Sequence, residues 1–246
     1  MFLLLMTVLV LSSCSETNND EAELEYANWQ ERNDKAFADT LAYANAQIAA
    51  GSTEWKVLLN WSLENQTGNK DQNGNVITPT YKNDDYIVVH VLHAGEGEKT
   101  PIYTDSIQMS YRGRIIPTTS NVNGAVFDQT FTGDFSFEKV LPQKTVINYG
   151  YIDGFTTALL NMRPGDHWQV FIPENLGYGS EASSSIPGYS MLRFELALHA
   201  YKRGKGNWIT KRFPPSRDLK IHICVCALST LLAGRILLLG SWASFC

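Results

Sequence analysis

The chain has 246 residues and a formal net charge of −5, enough for one ordinary domain with extensions. The mild acidity argues against a general nucleic-acid binder, which presents a basic patch. Its four cysteines, Cys14, Cys224, Cys226 and Cys246, all avoid the long middle, so the folded part is expected to need no disulfide.

Met1 to Cys14 is almost wholly apolar and ends Leu11-Ser12-Ser13-Cys14. It is shorter than the about 20 residues that span a bilayer, and an apolar run before small residues reads as an export signal. Leu-Ser-Ser-Cys also resembles the lipobox of bacterial lipoproteins. The resemblance implies cleavage before Cys14, lipidation of Cys14 with acyl chains such as palmitate, and attachment to a membrane. The expected location is the bacterial cell envelope, at the outer membrane or periplasmic face. No Lys or Arg precedes the apolar run, a departure that leaves room for a start upstream of Met1. Residues 1–13 are thus expected to be a signal peptide and 14–25 an acidic tether.

From about Asp20 to Ala50 the pattern is helical. Phe37, Leu41, Ala44 and Ile48 follow at spacings of 4, 3 and 4, and Gly51 stops the run. This stripe fits packing on its own domain or on a second copy, as a homodimer. Trp55 to Leu63 is apolar and aromatic, and reads as a strand. Glu64 to Asp85, rich in Asn, Gly, Asp and Thr, reads as loop. Residues 26–85 therefore form an expected helical extension and loop ahead of the main domain.

After Tyr86 the period changes to two. Ile87, Val89 and Val91 alternate with Val88, His90 and Leu92; Ile107, Met109 and Tyr111 alternate with polar neighbours. The runs His167 to Ile172 and Leu192 to Leu198 do the same. Strict alternation marks strands with one face on a core. His90 and His93 are an odd number of residues apart, so they are expected on opposite faces and make a poor metal pair. Between the strands, Asp153 to Met162 reads as a short helix. Asp153-Gly154 opens it, with Asp153 as N-cap, and Pro164-Gly165 closes it. Phe155, Leu159 and Met162 share one face. At least four strands around one short helix predict an α+β fold: a curved antiparallel sheet wrapped around the helix. By spacing alone Phe155 is simply core.

Residues 202–246 form an atypical tail. Lys202 to Lys220 is basic and irregular, and Ile221 to Leu239 is apolar but carries His222 and Arg235. Arg235 at bilayer depth would cost at least about 2.5 kcal/mol. Cys224 and Cys226 fall short of the four ligands usual in a structural metal site. A poorly formed membrane segment and a reading-frame artefact both fit this stretch.

Several motifs line up in order: Asp105 to Gly113, Val126-Phe127-Asp128, Phe135-Ser-Phe137, Ile152-Asp-Gly-Phe155 running to Met162-Arg-Pro-Gly165, Ile172-Pro173 to Tyr178-Gly179, Ile186-Pro187, and Leu192 to Leu196. Their joint order and spacing resemble the FKBP-type peptidyl-prolyl cis-trans isomerases over about 86–201, the expected isomerase domain. The resemblance implies an FKBP-like sheet around a helix, with a proline pocket between them. Carried over by position, the pocket is Tyr111, Phe127, Asp128, Phe135, Ile152, Phe155, Tyr178, Ile186 and Phe194. Tyr111, Asp128, Ile152, Phe155 and Tyr178 take the catalytic positions. Phe127, Phe135, Ile186 and Phe194 take the substrate-binding ones. Phe155 stands where the best-studied members carry Trp, and keeps an aromatic floor without the indole N–H. Tyr151 stands where an aliphatic residue is usual, and the loop from Phe137 to Ile152 is longer than in minimal members.

Read as residues alone, Phe127, Phe135 and Phe194 are core, Asp128 suits a turn, and Tyr178 bonds either a substrate carbonyl or the backbone. The resemblance makes Asp128 the acceptor that orients Tyr111. It implies rotamase activity on proline-containing, exported polypeptides, with macrolides as inhibitors. No cofactor, metal or covalent step is implied. A rival reading keeps the fold as a binding or chaperone module with little activity.

Overall fold

The computed structural model describes residues 24–64, 66 and 70–210. The signal peptide, Cys14, most of the tether and the tail from residue 211 lie outside the described residues. Eight strands form one antiparallel sheet: β1 (Trp55–Leu59), β2 (Tyr86–His93), β3 (Ser106–Arg114), β4 (Val126–Gln129), β5 (Gln143–Val146), β6 (His167–Ile172), β7 (Leu192–Lys202) and β8 (Ile209–Thr210). The order is β1-β2-β6-β7-β3-β4, with β5 also paired to β3 and β8 to β7. Helices α1 (Trp29–Ala49) and α2 (Asp153–Asn161) pack on it.

Register decides which residues share a face, because directly opposed residues in an antiparallel pair point the same way. Trp168, Val170 and Ile172 of β6 oppose Leu196, Phe194 and Leu192 of β7. Gly113 and Tyr111 of β3 extend that face by opposing Phe194 and Leu196. This inner face receives α2, and its apolar residues are almost fully buried. The opposite face carries Phe171, Gln169 and His167 of β6, aligned with Arg193, Glu195 and Ala197 of β7. It is partly covered by α1.

The sequence pattern of α2 is realised with two changes. Ile152, not Asp153, is the N-cap; its carbonyl accepts the Thr156 N–H at 3.0 Å. Asp153 is the first helical residue, where its negative charge still complements the positive helix end. The helix is also buried on more than the Phe155–Leu159–Met162 face, since Thr156, Thr157 and Ala158 are buried too. Gly154 is required by space: a Cβ there would stand 2.3 Å from Cγ2 of Ile172. The helix therefore approaches β6 more closely than any larger residue permits.

The extension is part of the sheet. β1 pairs antiparallel with β2 from Trp55↔His90 to Leu59↔Tyr86, so a boundary at residue 85 cuts between paired strands. The stripe of α1 is buried against the chain's own sheet, except Ile48, which is exposed. Trp29 Nε1 donates to Ser190 Oγ at 2.9 Å, and the Met191 N–H donates to Asn33 Oδ1 at 2.8 Å. Glu25, assigned to the tether, accepts from Ser120 Oγ at 2.6 Å. At the far end, β7 continues to Lys202 and β8 pairs with its last turn of chain. Arg203 donates to the buried Asp105 carboxylate at 3.0 Å, so residues 202–210 belong to the fold rather than to the tail.

His90 and His93 lie on one face rather than two. A β-bulge between Val91 and His93 inserts one residue, so His90 opposes Gln169 and His93 opposes His167. His90 stacks on Trp55 at 4.5 Å, and His93 Nδ1 lies 2.9 Å from the Gly165 carbonyl. Among the described residues, no helix is long and apolar enough to cross a membrane.

Candidate functional site

A cavity of about 330 Å³ opens on the inner face at the N-terminal turn of α2, within the range of small-ligand sites. Its lining is Tyr111, Phe127, Asp128, Gln143, Tyr149, Gly150, Tyr151, Ile152, Phe155, Tyr178 and Phe194. These residues come from several separate parts of the chain. Alternation on β3 and β7 aims Tyr111 and Phe194 inward. The short β4 brings Phe127 and Asp128, and the first turn of α2 brings Ile152 and Phe155.

Phe155 is the floor. It is 3% exposed and meets three rings: Phe194 at 5.0 Å, Tyr151 at 5.2 Å and Tyr111 at 5.6 Å between centroids. Phe127 stands edge-on to Phe194 at 5.4 Å. Edge-to-face geometry is the favoured arrangement for such pairs, so the rings hold one another in place. Gly113 makes room for them: a Cβ there would fall 2.5 Å from Phe127 Cζ and 2.8 Å from Phe194 Cε1.

Polar groups are few and placed at the mouth. Tyr111 Oη donates to Asp128 Oδ2 at 2.6 Å, a short, charge-assisted bond. Burial, and then this bond and the Asp128 charge, push the Tyr111 phenol well above its usual range. Tyr178 is 43% exposed at the rim, and burial raises its phenol too. Its hydroxyl makes no hydrogen bond among the described residues. Tyr151 Oη donates to Thr145 Oγ1 at 3.0 Å, fixing that ring against the floor.

Seven of the nine residues expected from sequence thus line one cavity. Phe135 and Ile186 do not. Phe135 sits on the opposite face of the sheet, 4.4 Å from the His167 ring and 4.9 Å from Phe137. It joins Phe131, Phe137 and His199 in an aromatic cluster. His167 alternates with the inward Trp168, so this cluster cannot reach the cavity. Ile186 is buried in the core beside a bridge to Ser183. Gln143, Tyr149 and Gly150 enter the lining without having been anticipated. The available signal was Tyr149-Gly150-Tyr151: Gly150 has φ +101, a left-handed turn that lets two neighbouring tyrosines face one site.

A second cavity of about 320 Å³ lies between α1 and the chain after β6. Asp34, Asp84 and Glu174 are in its lining. Burial, then Asp34 and Asp84, raise the Glu174 carboxyl. An acidic lining does not suit a neutral amide, whereas the aromatic cavity does.

The chain is similar to known proteins over about half of its length. Residues 97–199 match the family of FKBP-type peptidyl-prolyl cis-trans isomerases. Over 119 residues the chain is 34% identical to a macrophage infectivity potentiator of Trypanosoma cruzi, covering 48% of this chain and 54% of that protein. It is 33% identical over 114 residues to the peptidyl-prolyl cis-trans isomerase Mip of Coxiella burnetii, with 46% and 44% covered. It is 36% identical over 109 residues to an Escherichia coli FKBP-type 22 kDa isomerase, with 44% and 46% covered. The chain spans about half the length of the curated relatives it matches. A peptidyl-prolyl cis-trans isomerase from Pseudomonas syringae aligns at a TM-score of 0.45 and 24% identity, over 71% of this chain and 96% of that one.

Proposed function

We propose that this chain, whose residues 97–199 form an FKBP-type peptidyl-prolyl cis-trans isomerase domain, accelerates rotation about Xaa-Pro bonds in proline-containing polypeptides. The observation that carries the reading is the aromatic cavity itself: Tyr111 and Phe194 edge-on to Phe155, Tyr151 tilted against it and Phe127 edge-on to Phe194, with hydroxyl and carboxylate groups confined to its mouth.

The chemistry follows from the amide. Its partial double bond sets a barrier of about 18–20 kcal/mol. Water bonded to the carbonyl oxygen stabilises the planar, charge-separated form. A proline ring on Phe155, between Phe127, Phe194 and Tyr111, leaves that water behind and favours the less dipolar, twisted amide. Each tenfold in rate then needs only about 1.4 kcal/mol of preference for the twisted state. Ile152 is the N-cap of α2, so its N–H is not consumed by the helix ladder and serves a substrate carbonyl. Tyr178 offers its hydroxyl to a second carbonyl. Asp128 holds Tyr111 in orientation. No proton transfer or covalent bond enters the scheme.

The purified chain is expected to accelerate cis-to-trans conversion of a Phe-Pro peptide. A rate equal to that in buffer, with the same peptide still binding, would favour the client-binding reading. That reading draws on Tyr149, which lines the cavity and is 76% exposed, as an apolar ledge for an unfolded chain.

The place of action is read from sequence. Leu11-Ser12-Ser13-Cys14 supports lipidation at Cys14 and anchoring in the bacterial cell envelope, where exported chains are the substrates. Metabolic labelling with a palmitate analogue should mark the wild type and miss Cys14→Ala; label retained in the variant would overturn the anchor.

A further inference from the structure

The extension ahead of residue 97 reaches the helix that carries the cavity floor. After β1 the chain turns at Asn60 and Trp61 onto the flank of α2. The Trp61 N–H donates to Thr157 Oγ1 at 3.2 Å, and that hydroxyl donates to the Asp153 carbonyl at 2.7 Å. Asn60 Nδ2 lies 3.5 Å from Asp153 Oδ2, and Asn60 Oδ1 lies 3.4 Å from Thr157 Oγ1. Asn60 is 4% exposed and Thr157 fully buried. The turn is itself anchored: the Asn60 N–H donates to the Asp85 carbonyl at 2.9 Å, and Trp61 stacks on Tyr103 at 4.8 Å.

We infer that the Asn60–Trp61 turn positions the first turn of α2 through Thr157, so that the N-terminal extension is a working part of the cavity. This rests on the isomerase reading above. Asp153 and Thr157 do not line the cavity, whereas Ile152 and Phe155, on the same turn, do. One side of that turn is fixed by Ile172, which leaves no space beyond Gly154. The Asn60–Trp61 turn supplies a polar restraint that apolar packing does not, since hydrogen bonds at Asp153 and Thr157 set rotation about the helix axis. Such control matters because a misplacement of about 1 Å in a reacting geometry can cost about a hundredfold. Asn60 and Thr157 are positioning residues, acting through Ile152 and Phe155.

The test uses the full chain with Thr157→Val, Thr157→Ser, Asn60→Ala and Ala44→Gly. Ala44 is buried in α1 and takes no part in the hydrogen bonds that join Asn60 and Trp61 to α2, so Ala44→Gly loosens the extension without cutting the link. On folded protein, Thr157→Val and Asn60→Ala should lower kcat/KM for a Phe-Pro peptide about tenfold. Thr157→Ser, which keeps the hydroxyl, should restore it, and Ala44→Gly should lose thermal stability only. Unchanged kcat/KM in Thr157→Val and Asn60→Ala would overturn the inference. So would an equal loss in Ala44→Gly, which would mark a general effect of stability. If the wild type shows no turnover, the isomerase reading fails by itself. The inference is then read from amide exchange at Thr156, whose N–H closes the first turn on the Ile152 carbonyl; this exchange should quicken in Thr157→Val and Asn60→Ala but not in Ala44→Gly.

Discussion

Replacing Phe155 by Ala separates the floor of the cavity from the core that surrounds it. The ring is 3% exposed and packs on Tyr111, Tyr151 and Phe194. Truncating a buried Phe costs about 3–5 kcal/mol, which for a domain of this size lowers Tm by roughly 6–20 °C. Against a typical stability of about 5–15 kcal/mol, the variant should remain folded in the cold, where peptide isomerisation is measured. A pyrrolidine ring resting on Phe155 keeps on the order of 100 Å² of apolar surface from water, or about 2.5 kcal/mol. Realised mainly in the twisted state, that contact is worth roughly seventyfold in rate. Phe155→Ala is therefore expected to lose most of kcat/KM at 10 °C while near-ultraviolet circular dichroism still reports a packed fold. Leu159→Ala is the counterpart. Leu159 is fully buried one turn on and does not line the cavity, so it should lose about 2–5 kcal/mol of stability and keep its rate. A folded Phe155→Ala within threefold of wild type would refute the reasoning, as would a Leu159→Ala that loses rate as severely.

Three further outcomes follow from the geometry. Tyr111→Phe removes the 2.6 Å donor to Asp128 and should cost about 1.5–3 kcal/mol of local stabilisation; kcat/KM is expected to fall several-fold, with substrate titration showing whether KM or kcat carries the loss. Gly154→Ala places a Cβ 2.3 Å from Ile172, so it should destabilise by about 1–3 kcal/mol and lower activity, while Gly154→Ala combined with Ile172→Val should recover part of both. Glu195 is held below the usual carboxylate range by the hydrogen bond to His167, opposed by burial and aided by the His167, Arg112 and Arg114 charges. A depressed carboxyl stabilises the fold above its unfolded pKa and loses that contribution as pH falls, so the Tm gap between wild type and Glu195→Gln should be open at pH 7 and should close as pH drops below about 4.5.

How much was legible in sequence depended on whether the signal was local. Strands β2, β3, β6 and β7 announced themselves by alternation, and α2 by its apolar spacing and the Pro-Gly stop. Motif order then placed seven cavity residues together. Phe135 was misplaced because an aromatic residue in a loop carries no face of its own; packing on His167 and Phe137 decided the matter. His90 and His93 were misassigned because one bulge residue reverses every later side chain on a strand. Asp153 looked like a cap, yet the helix starts one residue earlier, a shift that hydrogen bonding rather than composition sets. The union of β1 with β2 skips the whole loop between them, and that of Asn60 and Trp61 with α2 rests on contacts across more than 90 residues of chain, which no short motif encodes.

The most direct test of the central claim is the rate of cis-to-trans conversion of a Phe-Pro peptide at 10 °C with increasing purified chain. The rate should rise in proportion to protein concentration and be largely lost with Phe155→Ala. A wild-type rate equal to that in buffer, from protein whose cavity binds the same peptide, would contradict it.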